Sequence, residues 1–403
     1  MDPASSKTLP AHSRWKPSTW RWIYVSTSVA FATLVVFFAL LPTTWGNFFN
    51  AHPKRGEMGL GRFIIRGTRM INGKHTPFAY PWRLIEPNRT GRVVAWAAYC
   101  IHQAGQWWIL AKAQKSKDQQ GWSNSYRWWN WSMMYLNGFM LLFKLVHTHV
   151  FYDGLAADVA EGTAQGSVVA ILVIALILAI PARGIIFGLG RKPKSELIKD
   201  VIWFTKKYHG YLVSFGTVYN FHYHPAEGTM GHYLGFVYQV MLLWQSTTFL
   251  HSSHRDKSWV MMLELWVFFH GTITALCQPG NSWQIFSFGF VVMFLVNQIY
   301  LTPLAKSPER LAVAYAVFAI VSFLAFRNDK KYFKMTFIPV AEYACLIFCI
   351  VAGMATSRLV RSLAIPQSIS PVFVGVVYIL VGVLLTVGLA KVLAGDIRVY
   401  DDY

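Results

Sequence analysis

Acidic side chains are scarce in this chain: 18 Asp and Glu stand against 37 Lys and Arg among 403 residues, a formal net charge of +19. Charge of either sign is in short supply, at 14% of residues, where a soluble domain carries about a quarter. That deficit excludes an ordinary solvated surface over most of the length. Cysteine is just as thin. Cys100, Cys277, Cys345 and Cys349 fall in or beside apolar runs, and their spacing is neither a disulfide framework nor a thiolate metal set, so they read as small core residues. There is no GxxxxGK[ST] phosphate loop, no GxSxG nucleophile elbow and no HExxH pair, which removes the chemistries those motifs serve. No segment outside the apolar runs is long enough for a nicotinamide-binding domain, so a reductase would take its electrons from a partner protein or a small donor.

What remains is 54% hydrophobic and 16% aromatic. Apolar runs of about 18 residues or more recur along the whole length, each long enough to cross a hydrocarbon core as a helix. They predict an all-α polytopic transmembrane helix bundle of about eleven spans, near 23–42, 92–111, 129–150, 167–190, 206–224, 229–250, 258–277, 284–305, 311–327, 336–357 and 370–394. Pro181 near the end of the purest run predicts a kink or an early stop, and the glycines of GLGR, Gly188 to Arg191, read as helix C-caps.

The first run follows a basic, Trp-rich start (RWKPSTWRWIY) with no small-residue cleavage site after it, and is expected to be a retained signal anchor. Lys and Arg then set the sides. Putting the N-terminus in the cytoplasm makes Lys112, Lys115, Arg183, Lys192, Lys206, Arg255, Lys306 and Arg358 alternate on the inner side, whereas the opposing loops 151–166, 225–231 and 278–283 hold no Lys or Arg. The basic segments 46–91 and Arg327 to Lys334 break that alternation, the first reading as interfacial through the alternating GRFIIRGTRMI. The organisation expected is a cytoplasmic segment 1–22, a first span 23–45, an extramembrane or interfacial loop 46–91, a His-rich bundle 92–277 and a His-free bundle 278–403. The loop carries the sequon Asn88-Arg89-Thr90, consistent with glycosylation on a lumenal face and with an endoplasmic reticulum or other secretory-pathway membrane. The net charge reads as orientation and as affinity for anionic lipid head groups of the bilayer, not as nucleic-acid binding, since no basic face lies on a soluble domain.

Thirteen histidines occur, nine of them between residues 147 and 270 and none later. His147, His149, His222, His224, His232 and His270 fall toward the outer side, with Asp153, Asp158, Glu161 and Glu227 nearby in sequence. His209, His251 and His254 fall on the inner side, and His102 near mid-membrane. Ionisable residues in spans are costly and default to function, and neutral imidazole is a ligand for zinc, copper and iron. The competing reading for any one of them is a capped polar residue or a head-group contact.

Three metal readings stay open. In YHGYLVSFGTVYNFHYH, His224 lies about 60° and His222 about 140° around the helix from His209. This segment partly resembles the helices of transmembrane di-haem cytochromes and ferric reductases, which implies haem held by His209 and His224. HTHVFYD, HYHPAE and HSSH resemble the histidine boxes of membrane hydroxylases and desaturases, although adjacent histidine pairs are lacking; that likeness implies non-haem iron or copper. A zinc hydrolase with Glu227 or Asp153 as base is the third. His224, His232 and His270 are the preferred core ligands, His147, His149 and His222 second choices, because HxH points neighbours to different faces. His251 and His254 of HSSHRDK read first as a positively flanked hairpin and second as inner ligands. Glu264, in MMLELWVFFHG without a basic neighbour, is a candidate proton relay beside Glu227, and Lys144 is expected to snorkel to the surface. The function expected is a multi-pass membrane oxidoreductase acting on a lipophilic small molecule or electron carrier. A transporter of protons or metal ions using the same His and Glu residues, and the intramembrane zinc hydrolase, are the alternatives.

Overall fold

The computed structural model describes residues 15–40, 70–71, 74–75, 88–152, 154–159, 161–226, 229–277 and 283–366, together with 373, 376–377 and 380. Glu227, Asp153, most of the 46–91 loop and most of the expected 370–394 span lie outside the described residues. Among the described residues the protein is helical apart from one two-stranded pair. Its α-helices are α1 (Pro17–Leu40), α2 (Arg89–Gln120), α3 (Trp128–Val150), α4 (Glu161–Arg183), α5 (Glu196–Tyr223), α6 (Met230–Thr247), α7 (Lys257–Leu276), α8 (Trp283–Val296), α9 (Pro308–Phe326) and α10 (Phe337–Ser362). Met70–Ile71 (β1) pairs antiparallel with Lys74–His75 (β2), with Met70 opposite His75.

Among the described residues five segments are helices long and apolar enough to cross a membrane: Pro17–Phe38, Thr163–Arg183, Lys257–Leu276, Pro308–Phe326 and Tyr332–Ser362. The remaining long helices, α2, α3, α5 and α6, carry the amides, imidazoles and lysines that lower their hydropathy. Two expected spans end early. The run 167–190 stops at Arg183, because the chain turns back through Gly184, Gly188 and Gly190 at φ of 82°, 74° and 79°, a region that favours glycine. The run 284–305 is α-helical only to Val296; two short 3₁₀ turns, Gln298–Leu301 and Pro303–Lys306, follow it.

Helix starts follow local chemistry. Asn88 accepts the Gly91 N–H at 2.9 Å, Thr229 the His232 N–H at 3.2 Å, Asp256 the Trp259 N–H at 2.8 Å and Ser307 the Arg310 N–H at 3.3 Å. Each satisfies a donor that the first turn leaves orphaned.

The described residues form two compact units. One draws on Met1–Ile64, Trp82–Asp158 and Thr217–His270, the other on Ile65–Pro81, Val159–Gly216 and Gly271–Tyr403. The core of the first packs Trp20, Tyr24 and Val35 of α1 with Leu141 and Leu145 of α3, Val240 and Trp244 of α6, and Trp259 of α7. That of the second packs Ile177 and Ile180 of α4, Val201 of α5, Met293 of α8 and Leu346 of α10. Inside it, Glu342 of α10 lies within electrostatic reach of the buried Arg183 of α4.

The loop between α6 and α7 is a stapled structure in the first unit. His251 is 0% exposed, packed edge-on to Tyr126 at 4.5 Å between ring centroids, and its Nδ1 meets Ser253 Oγ at 2.6 Å. His254 Nδ1 meets Thr248 Oγ1 at 2.9 Å and Gln245 Nε2 at 3.1 Å. Arg21 of α1 pairs with Asp256 at 2.9 Å. Burial pushes the His251 imidazole down to about 4. Its ordinary value is near 6.5. The unfolded chain therefore binds the proton that the folded loop refuses, so stability is lost as pH falls from about 6.5 toward 4. Unfolding of the detergent-solubilised protein, followed by tryptophan emission at pH 7.5, 6, 5 and 4.5, is expected to show that loss, and His251→Asn to flatten part of it. An equally steep acid dependence in His251→Asn would assign the effect to other groups.

Candidate functional site

Of the nine described histidines of the first unit, seven, contributed by α2, α3, α5, α6, α7 and their connections, sort into three environments. The first is a buried polar network at the centre of α2, α3, α5 and α6. His102 is 0%, Gln106 0%, Asn137 0% and His222 2% exposed. The Asn137 amide is oriented by its nitrogen, which donates to the Leu243 carbonyl at 2.8 Å and to Ser246 Oγ at 2.9 Å. Its oxygen accordingly faces His102 Nε2 at 3.0 Å and Gln106 Nε2 at 2.8 Å.

Protonation follows from these partners. An amide oxygen only accepts, so His102 donates through Nε2, and the Nδ1 of the neutral ring then accepts from His222 Nε2 at 3.1 Å. The network has one direction: His222 donates to His102, His102 to Asn137, and Asn137 to the α6 backbone. His102, Gln106 and Asn137 were not singled out as ligands from the sequence. Amides in a helix carry no spacing signature, and only their burial marks them.

The second environment surrounds Lys144 of α3. This lysine does not snorkel: it is 2% exposed, with Nζ 5.6 Å from the ring centroid of Phe221. Among the described residues no carboxylate pairs with it. His147, His222, His224 and His232 lie within electrostatic reach of it. The HxH pair at the end of α3 divides as a helix requires. His147 Nε2 donates to the Gly91 carbonyl at 3.1 Å, whereas His149 Nδ1 donates back to Leu145 O at 2.6 Å and its ring lies 5.2 Å from that of Phe38 in α1.

The third environment holds His224, His232 and His270. The rings of His224 and His232 have centroids 5.4 Å apart, and both feel the charge of His270. His232 Nδ1 lies 2.8 Å from Thr229 Oγ1, the cap of its own helix. His270 donates to the Gly231 carbonyl, which leaves its other ring nitrogen with a lone pair. Tyr238 stands between His270, at 6.2 Å between centroids, and Glu264, whose charge it feels.

Glycines allow these approaches. A Cβ on Gly235 would sit 2.7 Å from His270 Nε2, and one on Gly154 only 2.1 Å from the carbonyl oxygen of His222. The connection after α3 therefore lies directly against the end of α5. The remaining candidates are elsewhere. His209 lies in the second unit and bonds the Lys206 carbonyl at 3.0 Å. His251 and His254 serve the stapled loop, and Asn88 caps α2 from an exposed position.

Among the described residues no group of three or more His, Cys, Asp or Glu side chains is gathered closely enough to hold a metal ion in this conformation. Compared with known families, curated proteins and solved structures, the chain matches no family model, no curated protein and no solved structure.

Asn137 is the hub of the polar network, and its replacement tests the hydrogen-bond scheme. Asn137→Leu removes the acceptor of both His102 and Gln106 in a site closed to water. The expected cost is about 2–4 kcal/mol, read as a fall of several degrees in Tm of the detergent-solubilised protein. A Tm within one degree of the wild type would show that the network contributes little.

Proposed function

We propose that this protein is a multi-pass membrane oxidoreductase in which His224, His232 and His270 hold a redox metal. One observation carries the reading: three histidines from the end of α5, the start of α6 and the body of α7, up to 46 residues apart in sequence, share one partly buried neighbourhood. The ring of His270 is held by a backbone carbonyl and that of His232 by a threonine hydroxyl. Such outer partners orient metal-ligating imidazoles. Metal binding in this reading requires the three side chains to rotate toward one point, since they are not gathered as a ligand group in this conformation.

In this reading Lys144 raises the local positive potential. That favours an anionic partner or the reduced, less charged form of substrate or metal. Glu264, reached through Tyr238, serves as proton acceptor, and Glu227 is the second carboxylate assigned to the reaction. A lipophilic substrate or electron carrier enters from the bilayer, and electrons come from a donor protein or a small reductant. His147, His149, His251 and His254 are structural in this assignment. The variant reading is two haems, one on His209 and one on His224. The protein would cross the membrane about eleven times with its N-terminus cytoplasmic, in an endoplasmic reticulum or other secretory-pathway membrane, and carry a glycan on Asn88.

Elemental analysis and a visible spectrum of the detergent-purified chain test this assignment. Iron or copper near one per chain without a Soret band, reduced at least tenfold in His224→Ala and in His270→Ala, is the expected result. A Soret band would move the assignment to haem, and zinc alone to a hydrolase. No metal above background after supplementation would end the oxidoreductase reading and leave proton or ion transport through the same residues. The glycan is checked separately: endoglycosidase treatment of protein from a glycosylating host is expected to raise the mobility of the wild type and not of Asn88→Gln.

A further inference from the structure

The second unit carries a basic groove that the histidine chemistry does not use. Between residues 191 and 207 six cationic side chains stand against two acidic ones. Where α4 ends and α5 begins, Lys192, Lys194, Lys199 and Lys206 line a surface cavity of about 710 Å³. Its apolar floor is Pro181 and the buried Ile202, and Trp203, 56% exposed, forms part of its wall. Lysines are ordinarily a solvated face. Four of them around one concavity with a tryptophan and an aliphatic floor form a different surface, because it offers charge and apolar area together.

The local acids are already engaged. Glu196 pairs with Lys199 at 2.7 Å, and Asp200 accepts from Arg361 and from Ser357, the latter at 3.2 Å. Among the described residues Lys192, Lys194 and Lys206 form no ion pair. Three ammonium groups are thus available to an anion. The groove also sits at the end of Thr163–Arg183, one of the helices long and apolar enough to cross a membrane, and its floor residue Pro181 belongs to that helix. An occupant that is anionic at one end and apolar at the other satisfies both parts.

We propose that this groove binds the phosphate head group of an anionic phospholipid, with Lys192, Lys194 and Lys206 on the phosphate and Trp203 against the glycerol and upper acyl chain. A basic residue near a lipid surface adds about 1 kcal/mol, close to fivefold in affinity per residue, and an exposed tryptophan prefers the depth of the lipid glycerol. Free inorganic phosphate meets the lysines alone and leaves the apolar floor unused.

Thermal unfolding of the full chain in neutral detergent, titrated with a phosphatidylglycerol, a phosphatidylcholine of the same chains, or inorganic phosphate, tests this. Phosphatidylglycerol is expected to raise Tm by several degrees at concentrations where the other two have no effect. In the triple variant Lys192→Gln, Lys194→Gln, Lys206→Gln, half-saturation should move up at least tenfold. Arginine at the same three positions should preserve the response, as should Lys112→Gln with Lys306→Gln elsewhere on the surface. Trp203→Ala should weaken the lipid response and leave the untreated Tm unchanged. An equal response to phosphatidylcholine, a full response to inorganic phosphate, or an unaltered phosphatidylglycerol response in the triple glutamine variant would each overturn the proposal.

Discussion

Hydrogen-bond satisfaction of polar groups that water cannot reach is the constraint on which the first unit depends. An unpaired donor in an apolar interior costs several kcal/mol. The chain buries His102, Gln106, Asn137 and His222 almost completely. Asn137 resolves the problem by facing two ways, accepting from α2 with its oxygen and donating to α6 with its nitrogen. One amide therefore ties three helices, and His222 adds a fourth through His102. The Asn137 oxygen, which can only accept, assigns a proton to His102 Nε2, although the Gln106 amide nitrogen also lies 3.2 Å from that nitrogen.

The same economy governs the end of the unit where α3 and α5 finish. The imidazoles of His147 and His270 are anchored on backbone carbonyls, so the side chains with chemical capacity are also those that hold chain segments together. Close approach makes this possible: the backbone at Gly154 touches the end of α5, and the absence of a side chain on Gly235 admits His270. Lys144 is the exception. It is enclosed by imidazoles and by the face of Phe221, and its energetic cost is a reason to connect this neighbourhood with function and not with packing alone.

The second unit handles charge differently. Its core is aliphatic, and most of its cations stand at the rim, where Lys192, Lys194 and Lys206 remain exposed. Arg183 and Glu342 are the buried counterpart, an opposite pair on facing helices. In the first unit buried polarity is mostly neutral and directional. In the second it is ionic and mostly peripheral, with Arg183, Glu342 and Lys334 buried and Lys334 paired with Asp329 at 3.7 Å.

Run length and composition alone determined that the described residues are mainly helical, with helices able to cross a membrane, because the apolar area of a twenty-residue run is a property of the run itself. The starts of α7 and α9 were equally local, since Asp256, Ser307 and Pro308 act within one turn. The end of α4 at Arg183, foreshadowed by Pro181 but not by the apolar stretch beyond it, needed the backbone angles of Gly184, Gly188 and Gly190. Histidine enrichment before residue 271 was legible as well, but its sorting was not. Whether an imidazole meets a carbonyl, an amide, a hydroxyl or another imidazole depends on residues as far away as the 120 positions between His102 and His222. Lys144 looked free to reach the surface because its stem is long enough. Only the packing of α3 against Phe221 of α5 closed that route, since burial belongs to the neighbours of a side chain and not to the side chain.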